Sequence, residues 1–178
     1  AFASPVEDAA RTLGIPSAAA GELLEEARAA LLAARERREP VEVDDKILAD
    51  WNGLAISAFA RAGRALGIPE YVDVARRAAD FVLSAMVTGE DVLLHAYKDR
   101  PGSVPGFLDD YASMAGGLLE LYQSSQEPRY LTSALHLVDQ MLGLFLDESG
   151  GGFFQTGTGG EGLVVRVKPV YDGALPSG

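Results

Sequence analysis

Aspartate side chains recur just before or at the starts of predicted helices, and two of them stand side by side at Asp109 and Asp110. Paired carboxylates serve glycoside chemistry, with one protonated and one ionised at a separation of roughly 5 to 10 Å. We therefore predict Asp109 and Asp110 as acid/base residues and His95 as a second proton carrier. Aspartate is also a preferred helix N-cap, worth about 0.5 to 2 kcal/mol, so capping remains the alternative for each residue.

Aromatic residues accompany these acids. Sugars present CH faces that stack on flat rings, so acids beside aromatic rings indicate a carbohydrate pocket. Trp51 and Tyr111 are the predicted sugar platforms, although aromatic residues at helix starts also pack in protein cores. His136 lies among apolar residues of a predicted helix and is interpreted as an ordinary helix residue.

An internal repeat supplies the elements that position these residues. Residues 50–83 and 109–142 align without a gap at an offset of 59 residues. Each unit reads as a helix, a turn marked by Pro69 or Pro128, and a second helix, because apolar residues recur at three- and four-residue spacing on both sides of the proline. The repeat predicts αα-hairpins, arranged either as a tandem array or as a helical toroid whose loops form the binding site. In a toroid, the starts of the first helices meet at one mouth.

The predicted fold is therefore all-α dominated, a partial (α/α)6 toroid with short β-hairpin inserts in its loops. We expect residues 1–178 to form a single segment of a toroid domain that is larger than this chain. Its expected parts are a leading segment at 1–20 with a short helix at 7–13, first helices and hairpin at 21–87, an insert at 88–108, a second hairpin at 109–146, and a β-hairpin insert with the start of the next unit at 147–178. Within these, helices are expected at 22–38, 51–66, 70–87, 109–124 and 129–146, a loop at 41–50, a strand at 92–97, and hairpin strands at 150–156 and 163–168.

Composition excludes several classes of protein. The net charge of −11 argues against a nucleic-acid partner, because binding to phosphates needs clustered Lys and Arg. The absence of cysteine excludes disulfides and thiolate chemistry within the chain. Two distant histidines give no metal-ligand spacing, so neither a metal nor another cofactor is predicted. Short apolar runs predict no membrane span and no signal peptide, and the default location is cytoplasmic.

Three segments resemble the family of spermatogenesis-associated protein 20 and its bacterial relatives. They are Asp44-Asp45-Lys46-Ile47-Leu48-Ala49-Asp50-Trp51-Asn52-Gly53-Leu54, Pro105-Gly106-Phe107-Leu108-Asp109-Asp110-Tyr111-Ala112 and Tyr171-Asp172-Gly173-Ala174-Leu175-Pro176-Ser177-Gly178. Members of that family join an N-terminal thioredoxin-like domain to a C-terminal six-hairpin toroid. The resemblance implies a thioredoxin-like partner domain in the same full-length chain and a toroid similar to sugar epimerases and six-hairpin glycosidases.

The resemblance also implies a pocket lining by position. Its residues are Asp44, Asp45, Lys46, Trp51, Asn52, Asp109, Asp110, Tyr111 and Asp172, to which the first insert adds Tyr97. Two hypotheses remain open at this stage. One is a carbohydrate-processing toroid with a sugar ligand and either epimerase- or glycosidase-like chemistry. The other is a non-catalytic binding domain attached to the thioredoxin-like domain.

Overall fold

The computed structural model describes residues 5–40, 43–158 and 164–168. The described residues are mainly helical, as predicted. The chain separates into two compact units, Ala1–Asp44 and Asp45–Gly178, and this boundary falls inside the stretch expected to run from residue 21 to 87.

The first unit contains α1 (Val6–Leu13) and α2 (Ser17–Glu36). Helix α1 ends at Gly14, whose φ of 67° suits a residue without a Cβ. The predicted start of α2 at residue 22 was five residues late, because Ser17 follows Pro16 and three alanines carry the helix through Gly21. Leu23 and Leu31 of α2 are 56% and 71% exposed, so the described residues of this unit do not cover them.

The second unit contains both predicted αα-hairpins. The first is α3 (Ala49–Leu66) with α4 (Pro69–Ala85), and the second is α5 (Leu108–Ser125) with α6 (Pro128–Phe145). Both helices of the second hairpin start 59 residues after their counterparts in the first, which confirms the offset found in the sequence. Pro69 and Pro128 each begin a helix, where a missing N–H costs no hydrogen bond.

Helices α3 and α5 lie side by side in the same direction. The N–H of Asp50 contacts the side chain of Asp110 at one end, and Ser124 Oγ donates to the Ala60 carbonyl near the other. Two glycines permit this close approach. A Cβ added to Gly53 would lie 2.5 Å from the Ser113 carbonyl oxygen, and one added to Gly117 would lie 2.5 Å from the Gly53 carbonyl oxygen.

Residues of the first insert and Ile47–Leu48 together form a small antiparallel sheet with strand order β1-β2-β3. Its strands are β1 (Ile47–Leu48), β2 (Ala96–Lys98) and β3 (Arg100–Pro101). Tyr97 pairs with both Ile47 and Pro101. The strand expected at 92–97 is shorter and later, because Leu93 and Leu94 make only isolated bridges, to Val87 and Pro105. The loop expected at 41–50 contains β1. This strand was not predicted because two apolar residues in a polar stretch are too few to indicate one.

The second insert was predicted to be a β-hairpin across residues 150–168. Phe153 bridges Leu146, and the N–H of Gln155 donates to the Val167 carbonyl at 2.9 Å. No strand is assigned in the described residues 147–158 and 164–168. The turn predicted at 157–162 lies largely outside the described residues.

Candidate functional site

Asp110 is the centre of a hydrogen-bonded group at the start of α5. Its carboxylate is 1% exposed and accepts the backbone N–H of Phe107 at 2.8 Å and that of Asp50 at 3.0 Å. The first of these bonds caps its own helix, and the second caps α3. One side chain therefore ties together the starts of the two adjacent helices.

The imidazole of His95 is the third group in contact with the carboxylate of Asp110. Its Nδ1 lies 2.9 Å from one carboxylate oxygen and 3.1 Å from the other. The imidazole is 30% exposed, and its ring contacts Phe107 edge-on at 5.1 Å between ring centres. The structure thus brings together two predicted catalytic residues, His95 and Asp110, as a hydrogen-bonded pair.

The groups around Asp110 have opposite effects on its pKa. Burial raises the pKa of this carboxyl above its ordinary range, whereas the N–H of Phe107 and the imidazole of His95 lower it. The nearby carboxylate of Asp50 adds a smaller upward contribution to the pKa. The backbone groups that contact its two oxygens are both hydrogen-bond donors. These hydrogen bonds therefore fit the ionised carboxylate.

The direct acid/base role predicted for Asp110 does not fit its position. A side chain that is 1% exposed has no surface left for a substrate, and two backbone N–H groups and the imidazole of His95 already contact its oxygens. The carboxylate is buried because its residue sits at the third position of a helix whose start packs against α3.

Asp109 is half-buried and points to the second insert rather than to His95. Its Oδ2 accepts a hydrogen bond from Gln155 Nε2 at 2.7 Å. Its Oδ1 is buried without a partner among the described residues, as is Gln155 Oε1. The structure places this carboxylate in the first turn of α5, against Gln155 of the second insert, with one buried oxygen that has no partner among the described residues.

Tyr111 is a core residue. It is 1% exposed, its ring packs against Phe145 at 5.3 Å between ring centres, and its hydroxyl accepts the Leu93 N–H at 3.2 Å. Burial raises the pKa of this phenol. The sugar-platform role predicted for Tyr111 does not fit, because neither face of a fully buried ring is open to a ligand.

Trp51 and Asn52 lie in the first turn of α3, next to the N–H that Asp110 accepts. Trp51 is 58% exposed, whereas Asn52 is half-buried and donates through Nδ2 to the Leu48 carbonyl at 2.8 Å. Of the two aromatic platforms predicted, Trp51 is the one whose ring is open to solvent.

The remaining predicted lining residues have other contacts or are exposed. Tyr97 packs edge-on against Phe81 at 5.1 Å between ring centres. Asp44 is exposed at the end of the first unit, and Asp45 and Lys46 are exposed at the start of the second. Asp45 pairs with Lys98 at 2.5 Å. Asp172 lies outside the described residues.

Sequence reasoning missed three contributors to the site: the backbone N–H groups of Asp50 and Phe107, and the side chain of Gln155. Nothing in the local sequence marks an N–H that will be bound by a side chain 60 residues away. The repeat gave a usable signal for Asp50, because Asp50 and Asp109 occupy equivalent positions at the starts of adjacent helices.

A cavity of about 290 Å³ opens elsewhere, between α4 and α6. It is lined by Leu83, Val87, Asp91, Thr132, Ser133, His136, Leu137 and Gln140. None of the predicted catalytic or lining residues borders it. His136 lies 3.8 Å from Asp91 and is 53% exposed, in keeping with its interpretation as a helix residue.

Solved structures with the same helical arrangement are sugar-active enzymes. A sugar epimerase from a ruminal bacterium has a TM-score of 0.58 and 18% identity, covering 64% of this chain and 30% of that one. The cellobiose 2-epimerase of Bacillus thermoamylovorans has a TM-score of 0.55 and 11% identity, covering 60% and 31%. The GH76 α-mannanase of Bacteroides thetaiotaomicron has a TM-score of 0.54 and 22% identity, covering 64% and 31%. The chain is thus part of an (α/α) toroid of the six-hairpin glycosidase-like class.

Sequence comparison identifies the family. Human spermatogenesis-associated protein 20 is 37% identical over 182 residues, which cover 97% of this chain. The rat protein of the same name is 40% identical over 157 residues, which cover 83% of this chain. The chain belongs to the spermatogenesis-associated protein 20 family. It spans 23% of the length of the human relative and 20% of that of the rat relative.

No protein-family model matches the chain. Among the described residues, no helix combines the length and the apolar character needed to cross a membrane.

Proposed function

We propose that the second unit binds a carbohydrate and transforms it at the end where α3 and α5 begin. The observation that carries this proposal is the pairing of a partly exposed His95 with the buried Asp110, which also holds the start of the helix bearing Trp51. A proton carrier held by a carboxylate and an open aromatic ring are two parts that a sugar-processing site needs.

The toroid neighbours support the choice of substrate class. Their names include cellobiose 2-epimerase, sugar epimerase and α-mannanase. Identity below 25% makes this a likeness of fold, so the chemistry has to come from the side chains of this chain. We place the protein in the cytoplasm, with a thioredoxin-like domain as its partner in the full-length chain.

The positions of the described carboxylates favour a reaction in which His95 transfers a proton over hydrolysis by a pair of carboxyl groups. Hydrolysis needs two carboxyl groups that both reach the sugar, and Asp110 is enclosed. In an epimerase-type reaction, a base removes the proton from the carbon beside the carbonyl of an open-chain sugar. The C–H electron pair becomes the C=C bond of an enediolate, and the negative charge moves to the carbonyl oxygen. A proton delivered by water to the other face gives the epimer, and the protonated His95 returns its proton to solvent.

A panel of mono- and disaccharides in thermal melting tests the binding step. A sugar at about 100 times its dissociation constant raises the free energy of unfolding by roughly 2.7 kcal/mol. Sugars that bind are then incubated with the protein in D₂O. Loss of the C–H signal beside the carbonyl indicates proton abstraction, new reducing ends indicate hydrolysis, and a melting shift with neither change contradicts catalysis.

A non-catalytic binding domain is the second candidate. It is favoured by the hydrogen bonds of Asp110, since two of the three serve helix starts and are useful to folding alone. His95→Gln separates the candidates. A catalyst loses turnover and keeps its melting shift with sugar, whereas a binding domain has no turnover to lose.

A further inference from the structure

We infer that Asp110 is a positioning residue that holds His95 in the tautomer with its hydrogen on Nδ1, so that Nε2 is the proton acceptor of the site. The tautomer follows from the described contacts, and only the use of Nε2 as a base rests on the proposed function. The inference therefore assigns a direction to the proton transfer: from a bound molecule to His95.

The donors around Asp110 decide the tautomer. Backbone N–H groups can only donate, and the N–H groups of Phe107 and Asp50 take one carboxylate oxygen each, at 2.8 and 3.0 Å. His95 Nδ1 sits against both oxygens, at 2.9 and 3.1 Å. A nitrogen facing an ionised carboxylate has to bring a hydrogen, so the neutral ring carries it on Nδ1 and leaves the Nε2 lone pair free.

The position of His95 is fixed through its backbone as well as through its ring. Its N–H donates to the Val104 carbonyl at 3.0 Å, and its carbonyl accepts the Ala49 N–H at 3.0 Å. Within the described residues no hydrogen bond to Nε2 is formed, and the side chain is 30% exposed. The ring is thus held on its Nδ1 side, and part of the side chain remains exposed.

Histidine-selective ¹⁵N labelling tests the inference directly, because the chain has only two histidines. Two-bond ¹H–¹⁵N spectra at a pH where the ring is neutral report which nitrogen is protonated. We expect the Nδ1–H pattern for His95, with His136 as the exposed internal reference and His136→Gln to assign the signals. An Nε2–H pattern for His95 in the unaltered protein overturns the inference without any variant.

Two neighbouring substitutions then separate Asp110 from a general charge effect. In Asp110→Asn the amide has one acceptor oxygen and one donor group, so the ring is expected to change to the Nε2–H tautomer and accept at Nδ1. Asp109→Asn removes the same charge one residue away, where the contact is with Gln155, and is expected to leave the His95 pattern unchanged. If Asp110→Asn folds, as judged by circular dichroism, and keeps the Nδ1–H pattern, Asp110 does not set the tautomer.

Kinetics with a sugar that is turned over would connect the tautomer to catalysis. Asp110→Asn should lower kcat by about 10² to 10⁴-fold with KM nearly unchanged, because the acceptor nitrogen has lost its lone pair to a proton. A rise in KM with kcat preserved would contradict a positioning role. The spectra remain decisive if no sugar is turned over, so failure of the proposed function and failure of this inference give different results.

Discussion

The carboxylate of Asp110 accepts the backbone N–H of Asp50 at 3.0 Å, across a sequence separation of 60 residues. The bond joins the first turns of two parallel helices from successive repeats. The alignment of α3 and α5 therefore depends on one side chain. The same side chain holds the start of α3, which carries Trp51, and contacts the ring of His95. The same residue is therefore expected to matter for folding and for the site.

Asp110→Ala should be strongly destabilising. It leaves the partly buried N–H groups of Asp50 and Phe107 without an acceptor, and an unsatisfied N–H away from water costs about 1 to 3 kcal/mol. We expect the free energy of unfolding, measured in urea, to fall by roughly 2 to 5 kcal/mol. Asp109→Ala, which loses one bond from Gln155, should cost about 1 kcal/mol. Equal losses in the two variants would show that the buried network contributes nothing beyond an ordinary surface cap.

Gly53→Ala tests the close contact between α3 and α5. The added Cβ would lie 2.5 Å from the Ser113 carbonyl oxygen, and both groups belong to helix backbone that cannot turn aside. We expect a loss of about 1 to 3 kcal/mol in the free energy of unfolding. Gly116→Ala is the matched control in α5, because its Cβ would meet nothing within 4 Å, and it should stabilise the helix by about 0.5 to 1 kcal/mol. A stabilising Gly53→Ala would mean that the helices are further apart than described.

The helical hairpins could be predicted from sequence because their signals act over a few residues. Proline is favourable in the first turn of a helix, and Pro69 and Pro128 begin α4 and α6. Gly67 adopts the left-handed φ of 67° that ends α3. Apolar spacing then identifies the helices on either side. The start of α2 was missed because glycine is tolerated inside a helix when alanines precede it, so Gly21 was not the boundary that it suggested.

The candidate site was predicted in its residue types but not in its roles. Asp109 and Asp110 are equivalent in sequence terms, yet one is half-buried against Gln155 and the other is enclosed with His95. Tyr111 and Trp51 occupy neighbouring positions of the repeat, yet one is 1% and the other 58% exposed. Which of two adjacent residues faces inward depends on the rotation of each helix against its neighbours, and that is decided by packing across the whole unit.

Tyr130 should make stability fall at alkaline pH. It is fully buried, and its hydroxyl donates to Asp80 at 3.1 Å. Burial, followed by the charge of Asp80, raises the pKa of Tyr130 from 10.0 to about 12. Between these values the unfolded chain releases the phenolic proton and the folded chain keeps it. The stabilisation is therefore complete below pH 10 and is lost as the pH rises through about 12.

Urea unfolding between pH 9 and about 11.5 should show this fall in the unaltered protein and a flatter profile in Tyr130→Phe. At neutral pH the variant should lose about 0.5 to 1.5 kcal/mol with the hydrogen bond to Asp80. Tyr71→Phe is the control, because Tyr71 holds the equivalent position in the first repeat and is 37% exposed. If Tyr130→Phe keeps the full alkaline slope, another group is responsible for it.

Trp51→Ala should weaken sugar binding with little effect on stability. The ring is 58% exposed at the start of α3, so its loss removes a stacking surface and leaves the core intact. Stacking of this kind is worth about 0.5 to 1.5 kcal/mol, and we expect the dissociation constant to rise by up to about tenfold. The free energy of unfolding should stay within about 0.5 kcal/mol of the unaltered protein.

Leu135→Ala in α6 is the control, because Leu135 is 57% exposed and is remote in sequence from the residues that contact Asp110. Titration calorimetry with the sugar that gives the largest melting shift provides the measurement. An unchanged dissociation constant in Trp51→Ala, with the fold retained, would remove the aromatic platform from the proposed site.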